Sequence, residues 1–344
     1  MSHSTVPRSS AEASTPEKAP AASAGPTGAR EKRASGTLSL RLRFRRDRTL
    51  ILMTLPAVVL VLIFNYLPIL GNVVAFQDYD PYISDNGIVS ILNSPFVGLE
   101  NFQRIFEDSA FWNAVENTLV LFFVQLVLFF PIPVLLALLI NSVVRPRVRA
   151  VAQAVLYLPH FFSWVLVIAV FQQMFGGAGM LSQLLRQNGY DGLDIMTNPD
   201  TFAFLITAQS VWKDAGWGII VFLAALASVP TDQYEAAAMD GAGRWRRMWH
   251  VTLPALRPVI ALLLVLRVGD ALTVGFEQIL LQRDGVGREA GEVLDTFVWW
   301  NGVRNQDFGY AAAAGLIKGV VSIGLVLAAN KVAHLMGEQG VYKK

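Results

Sequence analysis

Six apolar runs, each longer than the ~20 residues an α-helix needs to cross ~30 Å of hydrocarbon, decide what this chain can fold into. They lie at about 49–76, 117–141, 150–175, 203–228, 258–282 and 311–333. In lipid no water is available to the backbone, so each run must satisfy its own N–H and C=O groups as a helix. Only 16% of the residues are charged, against ~25% in soluble domains. The expected fold is therefore all-α and integral to a membrane, with six transmembrane helices.

Around the spans, residues 1 to 36 are rich in Ser, Ala, Pro and Thr and have little to bury, which predicts a disordered tail. The membrane domain is expected to fill residues 37 to 344. The first apolar run is too long for the core of a signal peptide. Lys and Arg predict the orientation. Eighteen of them fall between Arg30 and the first span, in the second and fourth connections (the latter holding Arg244, Arg246, Arg247 and Arg257) and at the C-terminus. Only five, Arg104, Arg186, Arg283, Arg288 and Arg304, fall in the segments on the other side. Both termini and the 229–257 connection are thus expected inside. The long first outer loop carries Phe96, Phe102, Phe106, Phe111 and Trp112, suggesting that it packs on a membrane surface or a partner.

Composition also removes whole classes of function. The chain has no cysteine and four histidines without paired ligand spacing, so neither thiol chemistry nor a metal site is expected. It has no phosphate loop of the GxxxxGK[ST] type, no GxSxG elbow and no HExxH. No cofactor, nucleotide or nucleic-acid partner is expected, and the chain is not read as an enzyme.

Several spans contain helix-disrupting residues: Pro56, Pro68, Pro131, Pro133 and Pro159. Ala311, Gly315 and Gly319 form a small-residue ridge that predicts close helix packing. Ionisable groups within spans are expensive, so each is a candidate for function. Lys213, Asp214, Arg267, Asp270, Glu277 and Lys318 make up this set. Arg267 and Asp270, three apart, are placed to neutralise each other. Asp270 and Glu277, seven apart, project from one helical face. Lys213 and Asp214 are adjacent and point apart, which makes direct pairing poor. With Ser163, Trp164, Trp212 and Gln278, and with His160 and Trp217 nearby, these groups could line a wet path. Such an inventory suits a carbohydrate, gripped by aromatic faces and polar groups, and suits other polar solutes too. A proton- or ion-coupled secondary transporter is the rival reading, although no inverted repeat of broken helices is evident.

The connection from Asp232 to Pro254 is the most ordered polar segment. Asp232 with Glu235 predicts a capped helix start, the alanines at 236 to 238 favour helix, and Gly241 suits a left-handed stop. A second short helix, about 243 to 252, is expected to end before Pro254, which biases Leu253 away from the helical region. Its three arginines and two tryptophans would also suit a helix lying on lipid.

The run Glu235-Ala-Ala-Ala-Met-Asp-Gly-Ala242, continuing to Val251-Thr-Leu-Pro-Ala-Leu-Arg-Pro258, resembles the EAA motif of binding-protein-dependent ABC importer permeases. Met248 and Val251 depart mildly, each keeping an apolar group. Further stretches, among them Phe64–Tyr79, Phe96–Phe102, Tyr157–Trp164, Val211–Trp217 and Gly275–Gln278, are similar to the LplB-like sugar or polysaccharide permease branch. The likeness runs from about residue 50 to the C-terminus. It implies a type I importer half in a bacterial plasma membrane, paired with a second homologous permease. It also implies a cytoplasmic ABC ATPase dimer below and an extracellular, lipid-anchored solute-binding protein above. Glu235, Ala236, Ala237, Asp240, Gly241, Ala242, Leu253 and Pro254 would then form the ATPase-coupling element, and the cargo would be a sugar.

Overall fold

The computed structural model describes residues 48–335 and Gly337. The N-terminal tail at 1–36 lies outside these residues. Contacts divide the chain into two compact units, one ending at Leu62 and one beginning at Ile63. In the first, the described element is α1 (Arg48–Val61), an apolar helix with Pro56 inside and no buried residue.

The described residues of the second unit form helices joined by turns and loops, with one isolated bridge between Gln77 and Phe96 and no strand among them. Among the described residues, six helical segments are long and apolar enough to cross a membrane. These are Arg48–Phe76, Ser109–Ser142, Trp164–Gln187, Pro199–Ala227, Arg244–Gly269 and Phe308–Leu335. Within them we name α2 (Ser109–Leu128) and α3 (Pro131–Ser142), which share one span with a turn at residues 129–130. α4 (Pro146–Tyr157) precedes α5 (Trp164–Phe175). Then come α6 (Phe202–Ala227), α7 (Thr231–Met239), α8 (Arg244–Arg247), α9 (Leu253–Gly269), α10 (Phe276–Leu280) and α11 (Leu294–Trp299). α12 (Phe308–Leu335) closes the described chain.

Two spans differ from the sequence reading. Hydropathy alone merged α4 with α5 into a span at 150–175, but the helix breaks at Leu158–Phe161. Pro159 has no N–H to continue the ladder, and Ser163 then accepts from the Leu166 N–H at 3.4 Å to start α5 afresh. The fifth span lies earlier than 258–282. It begins at Arg244 and ends at Gly269, because Gly275, at φ 89, belongs to a left-handed turn rather than a helix. At its start, Met248–Thr252 widens into a π turn, and Leu253 stays helical at φ −65, ψ −42. The wider turn makes room for the ring of Pro254 without the break its sequence suggested.

Packing is tightest where glycine removes a side chain. A Cβ added at Gly216 of α6 would lie 1.8 Å from the Leu156 carbonyl oxygen of α4. By contrast, the ridge at Ala311, Gly315 and Gly319 does not pack as expected. Ala311 is buried, but nothing comes within 4 Å of a Cβ built at Gly315 or Gly319. The first loop's aromatics also divide. Phe111 is buried and meets the Phe297 ring at 5.8 Å, and Phe102 packs on Phe76, whereas Phe96, Phe106 and Trp112 stay exposed.

Candidate functional site

The Asp232–Pro254 connection is two helices joined by a glycine bend. α7 begins one residue before Asp232, after Pro230, and no side chain caps it. Asp232 therefore sits in the first turn, where its charge favours the helix dipole, and the expected capping pair with Glu235 does not form. At the other end Ala242 N–H reaches the Ala237 carbonyl at 2.9 Å, and Gly241 N–H the Ala238 carbonyl at 3.0 Å. With Gly241 at φ +73 this is a Schellman stop. Tyr234 Oη donates to Thr252 Oγ1 at 3.2 Å, tying α7 to the foot of α9.

What this bend presents outward is unusual for an internal loop. Glu235, Ala236, Asp240 and Gly241 are exposed, Ala237 and Ala242 half-buried, and Met239 is 88% exposed. Leu253 and Pro254 are half-buried at the start of α9. The Glu235 carboxylate makes no hydrogen bond or ion pair with the described residues.

The span candidates separate into groups. Around the break between α4 and α5, His160 Nδ1 lies 2.9 Å from Asp214 Oδ1, and its ring stacks on Trp217 at 4.6 Å. Lys213 is buried, donates to the His160 carbonyl at 2.7 Å and sits 5.4 Å from the centre of the Trp164 ring. Lys213 and Asp214 do meet, at 3.8 Å, because both converge on His160. Trp212 packs against Phe162 and Phe171 with 40% of its surface exposed. Ser163 caps α5 beside them. Five of the expected positions thus gather with His160 at one place: Ser163, Trp164, Trp212, Lys213 and Asp214, with Trp217 as neighbour.

Asp270, Glu277 and Gln278 do not join that cluster through any described bond. α9 ends at Gly269, so Asp270 and Glu277 occupy separate elements rather than one helical face. Both are exposed. Arg267 forms no ion pair with Asp270; its guanidinium donates instead to Gln125 of α2, and its Nε is buried without a partner. Gln278 is 1% exposed and turned inward. It donates to Gln209 Oε1 at 2.8 Å, Gln282 donates to the same oxygen at 2.9 Å, and Gln209 donates to Gln282 Oε1 at 2.9 Å. This triad fastens α10 to α6.

Two more ionic arrangements went unread in the sequence. Lys318 of α12 pairs with Asp295 of α11. Arg283, fully buried, pairs with Glu292 at 2.8 Å and stacks 4.3 Å from the Trp300 ring, which also receives Arg288 at 4.0 Å. Burial pushes the Glu292 carboxyl above its ordinary range, with Thr296 and Arg283 opposing the shift. In the sequence Arg283 and Arg288 counted only toward orientation; Trp300 and Glu292, which engage them, stand at uninformative spacings.

Helices long and apolar enough to cross a membrane, a polar cluster at a helix break and an exposed bent loop fit a transport permease. The chain belongs to the family described as binding-protein-dependent transport system inner membrane component, whose model matches residues 129–335. Members are non-catalytic subunits of ATP-driven importers, with ATP hydrolysis in a separate chain. The chain is similar to the polygalacturonan/rhamnogalacturonan transport system permease protein YteP of Bacillus subtilis (strain 168). The identity is 41%, covering 88% of this chain and 93% of the relative. It is 39% identical to protein LplB of the same organism, covering 89% of this chain and 94% of the relative. Among solved structures, it resembles a chain of the bacterial alginate ABC transporter in complex with an alginate pentasaccharide-bound periplasmic protein. There the TM-score is 0.79 at 34% identity, covering 88% of this chain and 99% of the other.

Proposed function

We propose that this permease moves an oligosaccharide inward across a bacterial plasma membrane by alternating access, coupled to a separate ATPase through the Asp232–Pro254 loop. The observation that carries the reading is the exposed, bonded bend of α7 and α8. A helix stopped at Gly241 and tied to α9 through Tyr234 can move with α9 as one lever. Glu235 and Asp240 offer carboxylates with no partner in the described chain, as a groove in another protein would require. The positive-inside count supports cytoplasmic termini and a cytoplasmic loop.

By this reading Glu235, Ala236, Ala237, Asp240, Gly241, Ala242, Leu253 and Pro254 form the coupling element. The loop seats in a groove of a cytoplasmic ATPase dimer, a second homologous permease completes the transporter, and a solute-binding protein delivers cargo from outside. Residues 37 to 344 form one permease domain. His160, Ser163, Trp164, Trp212, Lys213 and Asp214 are the best supported path residues: they combine aromatic faces with charged hydrogen-bonding groups at a helix break. Asp270 and Glu277 are exposed path candidates of their own, and Gln278 serves by holding α10 in place. The sugar cargo is supported by the names of the relatives.

Uptake of labelled oligosaccharide should stop on ATP depletion and persist when the proton gradient alone is collapsed. The opposite pattern would favour the proton-coupled alternative.

A further inference from the structure

Three arginines at the start of the fifth span have no ionic partner in the described chain. Arg244, Arg246 and Arg247 follow Gly243, with Trp245 among them and Trp249 just beyond. The described ion pairs involve Arg104, His160, Lys213, Arg283 and Lys318, and none of these three. Beside them lies a cavity of about 520 Å³ between α8 and the end of α3. Arg244 and Arg247 line one wall and Asn141 and Ser142 the other. The Ser142 hydroxyl donates to the Leu139 carbonyl at 2.7 Å, which leaves its oxygen free to accept.

The rim of this cavity is apolar and open. Leu139 is 61% exposed, Val144 75% and Trp245 79%. Unpaired guanidinium forks suit a phosphodiester, which they can grip with two bonds each. A volume of this size falls in the range of small-ligand sites, roughly 300–1,000 Å³. A free phosphate would use the arginines and ignore the apolar rim. A phospholipid uses both, and a tryptophan at the boundary is its usual companion.

We infer that the cavity holds the head group of an anionic phospholipid, with its phosphate between Arg244 and Arg247 and its acyl chains leaving past Leu139, Val144 and Trp245. Tyr234 and Thr252 line the same cavity, so the lipid sits against the bond that joins the loop to α9. An occupied site braces that joint and an empty one lets it flex. The proposal needs the loop to lie at the membrane–water boundary, and it does not depend on which solute is carried.

The test uses the full-length chain purified with the chains that accompany it, exchanged into phosphatidylglycerol or phosphatidylcholine of matched acyl chains. Lipid retained after detergent washing is counted by native mass spectrometry. Phosphatidylglycerol should be retained about tenfold more than phosphatidylcholine. The double variant Arg244→Gln/Arg247→Gln should bring the two lipids level, while Arg147→Gln, at the exposed start of α4, should not. Equal retention of both lipids by the unaltered protein would overturn the site, as would full retention by the double variant. Displacement by millimolar inorganic phosphate would show an anion site without a lipid. A photo-cross-linking residue at position 142 gives an answer without changing the arginines: lipid adducts support the site, and adducts only to another protein chain overturn it. Because uptake is not measured, failure of the transport reading leaves these outcomes unchanged.

Discussion

The two polar regions of this permease are built on opposite terms. The glutamine triad of Gln209, Gln278 and Gln282 is buried, and its amides bond to one another, to Ser210 and to the Ile206 carbonyl, all within the chain. The Asp232–Pro254 loop is closed at the backbone by its glycine stop, yet leaves Met239 and Trp245 exposed and Glu235 and Asp240 exposed without described ionic partners. A polar group satisfied within the chain contributes to one structure, whereas a polar group presented outward waits for another molecule. The contrast separates residues that hold the fold from residues that carry its motion, and it can be tested from both sides.

The largest effect is expected on the outward side. Glu235→Lys should abolish uptake and substrate-stimulated ATPase activity while membrane insertion and thermal stability stay unchanged. Losing one partner of an interfacial charge pair costs about 2–5 kcal/mol, a thirtyfold to several-thousandfold loss of ATPase affinity. Unchanged uptake would remove the loop from the coupling path and leave it with no more role than the triad.

Next comes Gly216→Val, which tests the inward side at its tightest point. The valine Cβ would meet the Leu156 carbonyl oxygen at 1.8 Å, and a backbone oxygen cannot rotate away as a side chain does. Overpacking of this kind costs about 1–3 kcal/mol and more where the neighbour is fixed. Thermal unfolding in detergent should show a clear loss of stability, and His160, one turn past Leu156, should lose its hold on Asp214 as α4 is pushed off.

That site also shows what the sequence could and could not reveal. Six spans were legible because lipid imposes one rule, length with apolarity, on every segment that crosses it. The EAA-like run was legible because its order of residues is long and specific. The break at Pro159 was visible as a proline but not as an end, since hydropathy continues across it. His160 was named only as a neighbour, although it is the group on which Lys213 and Asp214 converge. Adjacent residues on a helix point apart, so nothing local indicates that both reach a third residue more than fifty positions earlier. The pairing of Arg267 with Asp270 failed for the complementary reason: spacing predicts reach, and a buried acceptor on α2, Gln125, won instead.

Gln209→Leu should have a smaller effect than Gly216→Val. It removes the oxygen that accepts from both Gln278 and Gln282, leaving two buried donors and the Gln282 oxygen without that partner. Hydrogen bonds inside membrane bundles average about 0.6 kcal/mol, so a loss of about 1–2 kcal/mol is expected. Transport should fall only as far as folded protein does. A fall in turnover at constant stability would mean that the triad moves during transport and that the division between holding and moving is too sharp.

The smallest change in stability should come from Glu277→Ala, and it is the most discriminating for that reason. Glu277 neighbours Gln278 in α10 but faces outward, whereas Gln278 is buried. An exposed residue with no described bond should cost no more than about 0.5 kcal/mol when removed. If Glu277 lies on the solute path, transport or basal ATPase activity should change while thermal stability does not. If stability falls and turnover per folded molecule holds, Glu277 belongs with its buried neighbour. One short helix carries both kinds of residue, so comparing Glu277→Ala with Gln278→Leu by turnover and unfolding temperature separates path from scaffold within adjacent positions.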